Sequence, residues 1–312
     1  MRTADAVVDC VVVGGGPAGL IAAHYLCRFR RSVACFDDGD SRALRIPLSH
    51  NFPGFPDGIG GSDLLQRLVQ QLDNAGGHVT AGRVSSIDAC DDGFIVRVGS
   101  HAVATRTVLL ATGTHDVEPE VEGIAAIRER GLLRQCPVCD GFESSGKRIA
   151  VIGKGVHGVR EAEFLRTYST QVTLVDVTAW PRRVDFRPTG IVIELLDGSH
   201  FECDVVYAAL GSLPKSSLAA RAGAELDGDG NIVVDEHCRT SVPGLYAAGD
   251  VVVGLDQLAV AAGHAAIAAT TIHNDLRQAA KEASERQVME QAIGNPAISE
   301  AQEELLSRNW SG

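Results

Sequence analysis

The strongest constraint on the fold is an internal repeat, in which a glycine-rich pattern occurs twice, 139 residues apart. The first copy begins with CVVVGGGPAGLIAAHYL at Cys10, and the second with IAVIGKGVHGVREAEFL at Ile149. Each copy reads as a strand, a glycine turn, a helix, a second strand and an acidic residue. The equivalent positions are Gly14 and Gly153, Gly16 and Gly155, Gly19 and Gly158, and Asp37 and Asp176.

Each residue type in this pattern meets a requirement of dinucleotide binding. The first glycine permits the tight turn, the second lets the backbone approach a diphosphate, and the third lets helix and strand pack closely. Pro17 and Ala18 open the helix of the first copy, whose amino terminus then faces the phosphates. The acid, placed to hydrogen-bond a ribose, follows the first glycine by 23 residues in both copies. Two such patterns predict two dinucleotide sites, one for FAD and one for a nicotinamide nucleotide.

Two further segments fit the FAD half. The apolar run LLATGT ends in a small-residue turn that contains Thr112 and Gly113, a shape suited to close approach by a cofactor. The segment VPGLYAAGDV ends in Gly249 and Asp250. A carboxylate at Asp250 can hold the sugar chain of a flavin, cap the helix that follows, or do both.

The order of these segments predicts an α/β chain with two Rossmann-like dinucleotide-binding domains of the three-layer ββα type, the second inserted in the first and truncated. We expect an FAD-binding domain at 1–117 and 211–277, a shortened NAD(P)H-binding-like domain at 118–210, and a helical tail at 278–312. Only 27 residues separate Asp176 from Asp204, and Pro181 and Pro188 interrupt any helix there. A β-hairpin around Asp197-Gly198 fills most of that stretch.

Composition narrows the function classes. The chain has 312 residues, of which 45% are hydrophobic, and a net charge of −12, which argues against nucleic-acid binding. No apolar run approaches the roughly 20 residues that span a bilayer. The amino-terminal apolar run lacks a basic region and a cleavage site, so it is not expected to be a signal peptide. We therefore expect a cytoplasmic protein without membrane contact.

The segment QCPVCDG contains the one close cysteine pair, Cys136 and Cys139. A zinc site needs about four ligands, and no second pair of this kind follows, so no metal is expected. A redox pair needs only two sulfurs and an electron source. Pro137 suits the first turn of a short helix, whose amino terminus would lower the pKa of the Cys136 thiol. Asp140 is either a proton-transfer group with a raised pKa or a solvated turn acid.

These motifs carry a family resemblance. GGGPAG, NFPGFPDG, CPVCDG, the second glycine motif and TSVPGLYAAGDV resemble the low-molecular-weight thioredoxin reductases, and still more the bacterial thioredoxin-reductase-like flavoproteins, over about residues 8–277. The resemblance implies FAD, a homodimer and two domains that rotate against each other. It also implies that NAD(P)H reduces the flavin, which reduces the cysteine pair, which reduces thioredoxin or a similar protein or small-molecule disulfide.

The resemblance also assigns roles to single residues. Cys139 would face the flavin, Cys136 would attack the substrate disulfide, and Asp140 would be the acid/base. The residues expected along the flavin are Asn51, Phe52, Pro53, Gln257 and Ala259.

The second dinucleotide unit departs from the family pattern. Asp176 would repel the 2′-phosphate of NADPH and favour NADH, while Arg182 and Arg183 either offset that repulsion or are surface charges. Besides an NAD(P)H-dependent disulfide reductase, two alternatives stay open. One is a disulfide reductase or dithiol oxidase served by another donor or acceptor, such as ferredoxin or oxygen. The other is a flavoprotein with a binding or regulatory role, which the intact CPVCDG argues against.

The tail lies beyond the family's usual end. Its sequence predicts a helix over Ala279–Ile293, a break at 294–296 and a second helix over Ser299–Ser307. A surface-docked or partly disordered tail is one reading. The other is that Trp310 covers the flavin or the dimer partner.

Overall fold

The structure, a computed structural model, describes residues 7–176 and 180–293. Its first elements are β1 (Val8–Val13), α1 (Pro17–Arg28), β2 (Val33–Asp37), α2 (Gly61–Asn74), β3 (Val79–Ala81), β4 (Val84–Cys90), β5 (Gly93–Val98) and β6 (His101–Leu110). The next are β7 (Thr114–Asp116), α3 (Ile124–Glu129), β8 (Leu133–Arg134), α4 (Pro137–Asp140), β9 (Ile149–Gly153), α5 (Gly155–Leu165), β10 (Val172–Val175), β11 (Pro181–Arg187), β12 (Gly190–Leu195), β13 (His200–Cys203), β14 (Val205–Ala209) and β15 (Ser212–Pro214). The last are α6 (Ser217–Arg221), β16 (Leu245–Ala247) and α7 (Leu258–Ile293).

The first sheet is built around β1. Parallel strands run in the order β3-β2-β1-β6-β16, and β4, β5 and the first half of β6 form an antiparallel meander. Successive side chains of a strand point to opposite faces. Cys10 and Val12 therefore pack on the helices, which include α1 and α7, whereas Val11 and Val13 pack on the meander. Helices, parallel sheet and meander form three layers.

The second sheet repeats this plan on a smaller scale. Four parallel strands run in the order β10-β9-β14-β8. Helix α5 covers one face through Ala162 and Leu165. The antiparallel strands β11, β12 and β13 cover the other face, with Ile191 and Ile193 in the core. The predicted fold class, two Rossmann-like domains of the three-layer type, is confirmed.

The second unit is short because β10 is followed almost at once by the antiparallel layer. Residues 176–180 alone connect β10 to β11. The hairpin predicted around Asp197-Gly198 is the turn between β12 and β13, where Gly198 has a φ of +84°. The segment with Pro181 and Pro188, predicted not to be helical, forms β11 and the turn that follows it.

Two short strands join the units. β7 and β15 pair antiparallel, so the chain leaves and re-enters the first unit side by side. The helix predicted over Ala279–Ile293 is the second half of α7, a single helix of 36 residues. Our domain limits stay predictions, and the predicted break at 294–296, the helix at Ser299–Ser307 and Trp310 lie outside the described residues. Within the described ranges, no helix is long and apolar enough to cross a membrane.

Candidate functional site

A cleft of about 1090 Å³ lies where the first unit meets β8 and α4 of the second. Its wall is mostly apolar, with polar groups at the glycine turn of β1 and around the cysteine pair. Eleven of the residues predicted for the site line it: Gly16, Pro17, Ala18, Asn51, Gly113, Cys136, Cys139, Asp140, Gly249, Asp250 and Gln257. The structure therefore brings residues from both units, separated by up to 241 positions between Gly16 and Gln257, to one place.

The first glycine turn lies at the bottom of this cleft. A Cβ on Gly14, whose φ is +112°, would lie 2.3 Å from the Ala111 carbonyl oxygen, and a Cβ on Gly19 would lie 1.9 Å from the Gly14 carbonyl oxygen. Neither position tolerates a side chain, which explains the first and third glycines. Helix α1 begins at Pro17, where the missing N–H costs no hydrogen bond, and its free amino-terminal N–H groups can bind an anion.

Asp37 closes this turn from the end of β2. One oxygen of its carboxylate accepts a hydrogen bond from the Gly15 N–H at 2.8 Å, and the other accepts from the Gly39 N–H at 3.2 Å. A carboxylate has room for about four such bonds. Asp37 can therefore support the turn and still accept hydrogen bonds from a ribose.

Asp250 belongs to a charged cluster that the sequence did not reveal. The guanidinium of Arg42 binds Asp116 at 2.7 Å and Asp250 at 3.1 Å, and Asp256 lies 3.6 Å away. Burial raises the pKa of Asp250, and Arg42 lowers it. Burial and the Asp250 charge raise the pKa of Asp256 to about 6. Because these four residues come from distant segments, no local pattern links them.

The residues present fit FAD. The turn beside α1 offers backbone N–H groups without side-chain obstruction, as a diphosphate requires. Asp250 and Arg42 supply polar contacts for a sugar chain, and the apolar wall suits a flat ring. The apolar residues of that wall include Ala18, Ile46, Pro47, Leu48, Ala111, Ala248, Leu258 and Ala261.

The cysteine pair also lines the cleft. Cys136 and Cys139 form a disulfide, with Cys136 capping α4 and Pro137 at its first position. The Cys139 N–H donates a hydrogen bond to the Cys136 sulfur at 3.1 Å. Both cysteines are partly buried. A thiolate at Cys136 would therefore keep a backbone donor, which lowers the pKa of a thiol.

Gln257 reaches this disulfide from the start of α7. Its Nε2 lies 3.4 Å from the Cys136 sulfur and 3.3 Å from the Cys139 sulfur. Its Oε1 accepts a hydrogen bond from Asn51 Nδ2 at 2.8 Å. Asn51 and Gln257, both predicted along the flavin, are thus linked to the cysteine pair.

Asp140 is held in a polar network behind the disulfide. One carboxylate oxygen accepts a hydrogen bond from the Tyr207 hydroxyl at 2.7 Å, and the other lies 3.3 Å from an Arg134 nitrogen. The Ser144 hydroxyl lies 2.9 Å from the same Tyr207 hydroxyl. Burial raises the pKa of Asp140, while Tyr207 and Arg134 lower it. Tyr207 was missed because it lies in an apolar strand, where an aromatic residue predicts only core packing.

The second glycine turn keeps its packing but lies outside the cleft. A Cβ on Gly158 would lie 2.9 Å from Gly153 Cα, and Gly155 has a φ of +53°. Lys154 extends its Nζ over the Trp180 ring, 5.4 Å from the ring centre. Three of the predicted nucleotide residues, Gly153, Gly155 and Gly158, thus lie together at the start of α5, and Asp176 follows β10.

The side chains of Arg182 and Arg183 each form an ion pair with an acidic residue of the same unit. Arg182 pairs with Glu194 at 3.5 Å, and Arg183 pairs with Asp185 at 2.9 Å. A 2′-phosphate would have to compete with both carboxylates. This geometry therefore favours the interpretation of Arg182 and Arg183 as surface charges over the interpretation that they bind a phosphate.

Apart from Gly14, Gly19 and Asp37 of the glycine turn, four residues predicted along the flavin do not line the cleft: Phe52, Pro53, Thr112 and Ala259. The Thr112 hydroxyl donates a hydrogen bond to the Lys215 carbonyl at 2.8 Å, so it helps hold the return of the chain from the inserted unit. Ala259 is exposed on α7, next to Leu258, which does line the cleft. The flavin roles of Thr112 and Ala259 stay predictions.

Comparison with known proteins gives a consistent result. The family described as pyridine nucleotide-disulphide oxidoreductase matches residues 8–189 and 182–266. The thioredoxin reductase of Listeria monocytogenes is 27% identical over 301 residues, covering 86% of this chain and 93% of that protein.

Solved structures agree in fold. Thioredoxin reductase from Streptococcus pyogenes superposes with a TM-score of 0.81 at 25% identity, covering 88% of this chain and 100% of that chain. The crystal structure of HlmI superposes with a TM-score of 0.81 at 29% identity, covering 90% and 98%.

The family match extends over both glycine motifs and the cysteine pair. The family match, the relatives and the solved structures confirm the resemblance to the low-molecular-weight thioredoxin reductases and the assignment of the chain as an enzyme acting on a sulfur group. The chain belongs to the pyridine nucleotide-disulphide oxidoreductase family and is an FAD-dependent disulfide oxidoreductase.

Proposed function

We propose that the protein passes electrons from NADH or NADPH through FAD to the Cys136–Cys139 pair, and from there to thioredoxin or a similar disulfide. One observation carries this proposal. The disulfide lines the same cleft as Gly16 of the first glycine turn and Asp250, so FAD bound in this cleft would share it with the two sulfurs.

Different residues of the first unit are proposed to bind different parts of FAD. Gly14, Gly16 and the start of α1 bind the diphosphate, and Asp37 binds a ribose. Asp250 binds the sugar chain. When bound, FAD supplies the two-electron link between a nicotinamide hydride and a disulfide.

The chemistry of the reduced pair is thiol–disulfide exchange. The Cys136 thiolate attacks one sulfur of the substrate, so the substrate S–S bond breaks as a Cys136–substrate bond forms. The departing thiolate takes a proton. Cys139 then attacks the Cys136 sulfur, which re-forms the disulfide and releases the second substrate thiol. Two electrons have moved to the substrate, and the pair is ready for reduction.

Asp140 is the proposed source of the proton. Burial raises the pKa of this carboxyl group above its ordinary value, which is the direction that a general acid requires. Tyr207 and Arg134 fix the carboxyl group from the strand side. The group can therefore serve the departing thiolate and regain its proton from the next thiol that ionises.

The relatives and the free cysteines support a proposed partner, oligomeric state and compartment. Relatives named thioredoxin reductase support thioredoxin as the substrate, and the family resemblance supports a homodimer. Six further cysteines are free, which suits a reducing compartment such as the cytoplasm.

The experiment is a turnover assay on the FAD-loaded protein. NADH or NADPH oxidation is followed with oxidised thioredoxin and, separately, with a small aromatic disulfide. We expect oxidation that depends on the disulfide substrate and is absent in Cys136→Ser. Nucleotide oxidation that proceeds equally well without a disulfide would contradict the proposal.

A second candidate rests on the short connection at 176–180 and the paired arginines, which leave little surface for a nicotinamide nucleotide. In that candidate the same disulfide exchanges electrons with a donor or acceptor other than NAD(P)H. Reduced ferredoxin as donor, or oxygen uptake with a dithiol substrate, tests it. Turnover with either, and none with NADH or NADPH, would select this candidate.

A further inference from the structure

We propose that the Gln257 side chain, oriented by Asn51, hydrogen-bonds the sulfurs of the redox pair and shifts its equilibrium toward the reduced form. The proposal rests on the function of Cys136 and Cys139 as a redox pair but not on the identity of the electron donor. It starts from one contact, since Gln257 Nε2 lies within 3.4 Å of both sulfurs.

The neighbouring groups decide which end of the Gln257 amide faces the sulfurs. The Ser49 hydroxyl donates to Asn51 Oδ1 at 3.0 Å, which turns Asn51 Nδ2 toward Gln257 Oε1 at 2.8 Å and the Val138 carbonyl at 3.5 Å. Because Gln257 Oε1 accepts from Asn51, the amide NH₂ is the group left to face the pair. Each hydrogen bond in the series from Ser49 to the sulfurs then joins a donor to an acceptor.

The two redox states of the pair differ as acceptors. A disulfide sulfur accepts hydrogen bonds weakly, whereas a thiolate is a charged acceptor, and hydrogen bonds to charged groups are about twice as strong as neutral ones. The Gln257 contact therefore strengthens on reduction. Gln257 Nε2 is within reach of either sulfur, and the Cys136 sulfur also accepts from the Cys139 N–H at 3.1 Å. Gln257 thus touches the reacting atoms, while Asn51 acts through it as a positioning residue.

The test measures the thiol–disulfide equilibrium of the FAD-loaded protein. Wild type and variants are equilibrated in glutathione buffers of graded ratio without oxygen, and alkylation at Cys136 and Cys139 is read by mass spectrometry. In Gln257→Leu we expect the equilibrium constant for reduction to fall about tenfold, which equals a shift of about 30 mV to more negative potential. Gln278→Leu, the same change on the exposed part of α7, is the matched control and should follow wild type.

A second variant tests the relay, by which we mean the hydrogen bonds that run from Ser49 through Asn51 and Gln257 to the sulfurs. Asn51→Asp places an acceptor against Gln257 Oε1, so the Gln257 amide turns and presents its oxygen to the sulfurs. We expect a shift in the same direction as in Gln257→Leu. The flavin potential of a Cys136→Ser/Cys139→Ser protein, measured with and without Gln257→Leu, shows separately how much Gln257 affects the flavin itself.

The outcomes separate this proposal from the proposed function. An unchanged midpoint in both Gln257→Leu and Asn51→Asp, or a change in the flavin potential alone, would overturn the relay. A wild-type pair that does not respond to the glutathione ratio at all would instead count against the proposed redox function.

Discussion

The two glycine units share a sequence pattern but differ in what surrounds it. In the first, the turn opens into the cleft, and β2 leads on to α2 and β3, so that five parallel strands support the site. In the second, the turn lies outside the cleft, and residues 176–180 alone connect β10 to β11. The motif thus preserves the strand–helix contact in both units, whereas the binding surface depends on the segments that follow it.

Single positions show the same difference. A Cβ on Gly15 would lie 2.6 Å from Asp37 Cγ, so the first acid can approach its turn only because that position is glycine. The equivalent residue in the second unit is Lys154, which carries a side chain. The second turn therefore carries a side chain at the position where the first turn has room for none.

The helices differ in the same way. Ala22 is fully buried in α1, and its equivalent in α5 is Glu161. One Glu161 oxygen lies 3.0 Å from His157, and the other is buried and has no hydrogen-bond partner among the residues that the structure describes. The helix after the first turn therefore buries a small apolar side chain, whereas the helix after the second turn places a partly buried carboxylate at the same position.

The largest expected effect comes from the disulfide that the second unit carries. Cys136→Ser and Cys139→Ser should each lower disulfide-dependent turnover at least about a thousandfold, because exchange needs both sulfurs. Flavin content should stay at the wild-type level, since the first unit is unchanged. Cys90→Ser, at an exposed free cysteine, is the control. Substantial turnover without one of the paired sulfurs would remove the disulfide from the account.

A paired glycine experiment sharpens the comparison of the two turns. Gly14→Ala should lose most of the bound flavin and destabilise the fold by about 3 kcal/mol or more, because φ is +112° and a carbonyl oxygen blocks the Cβ. Gly155→Ala meets open space at a φ of +53° and should cost only about 1 kcal/mol. Flavin absorbance and denaturant unfolding measure both. Equal losses in the two variants would break the distinction between the units.

The protonation of Asp140 gives the next effect. Asp140→Asn should slow disulfide exchange by about a hundredfold, as expected for loss of a general acid. Tyr207→Phe removes a hydrogen bond that lowers the pKa of Asp140, so the limb of the pH profile that reports this group should move to higher pH. Single-turnover reduction of a substrate disulfide across pH measures both variants.

A matched variant controls for loss of a buried tyrosine hydroxyl. The Tyr246 hydroxyl binds Asp275 at 2.7 Å outside the cleft, so Tyr246→Phe should leave the pH profile unchanged. A profile that moves equally in both variants, or moves to lower pH in Tyr207→Phe, would count against the role of Asp140.

The smallest expected effect concerns Glu161. Burial raises the pKa of Glu161 to about 7, against an ordinary value of 4.5. The folded state therefore holds this proton more tightly than the unfolded state, and stability is lost as pH rises through that interval. Glu161→Gln should be more stable than wild type at pH 8 by about 1 kcal/mol, after allowance for partial exposure and for His157. At pH 4 the two should be equal.

Unfolding at the two pH values measures this difference. Glu163→Gln, on the exposed face of α5, is the control and should change little at either pH. A Glu161→Gln protein less stable than wild type at pH 8 would show that the buried carboxylate is well paired.

Local sequence predicted the parts of this molecule that depend on local geometry. The two glycine turns, the hairpin at Asp197-Gly198 and the short helix that Cys136 caps each follow from a few adjacent residues. The shortened second unit followed from a residue count. These features need no knowledge of distant contacts.

The rest of the site depends on tertiary packing. Arg42 meets Asp116 and Asp250 from three separate segments, and Tyr207 reaches Asp140 from a buried strand. Family resemblance placed Gln257 near the flavin, but its contact with both sulfurs depends on how α7 meets α4. The spacing of residues in a single sequence does not predict such contacts between distant segments.

An anaerobic titration with NADH, and separately with NADPH, tests the central claim most directly when flavin absorbance and alkylation of Cys136 and Cys139 are read on the same samples. The account predicts that at least one nucleotide bleaches the flavin band and that both cysteines then become alkylated. In Cys136→Ser, reduction should stop at the flavin. A flavin that is fully reduced while the two cysteines stay joined as a disulfide would contradict the account.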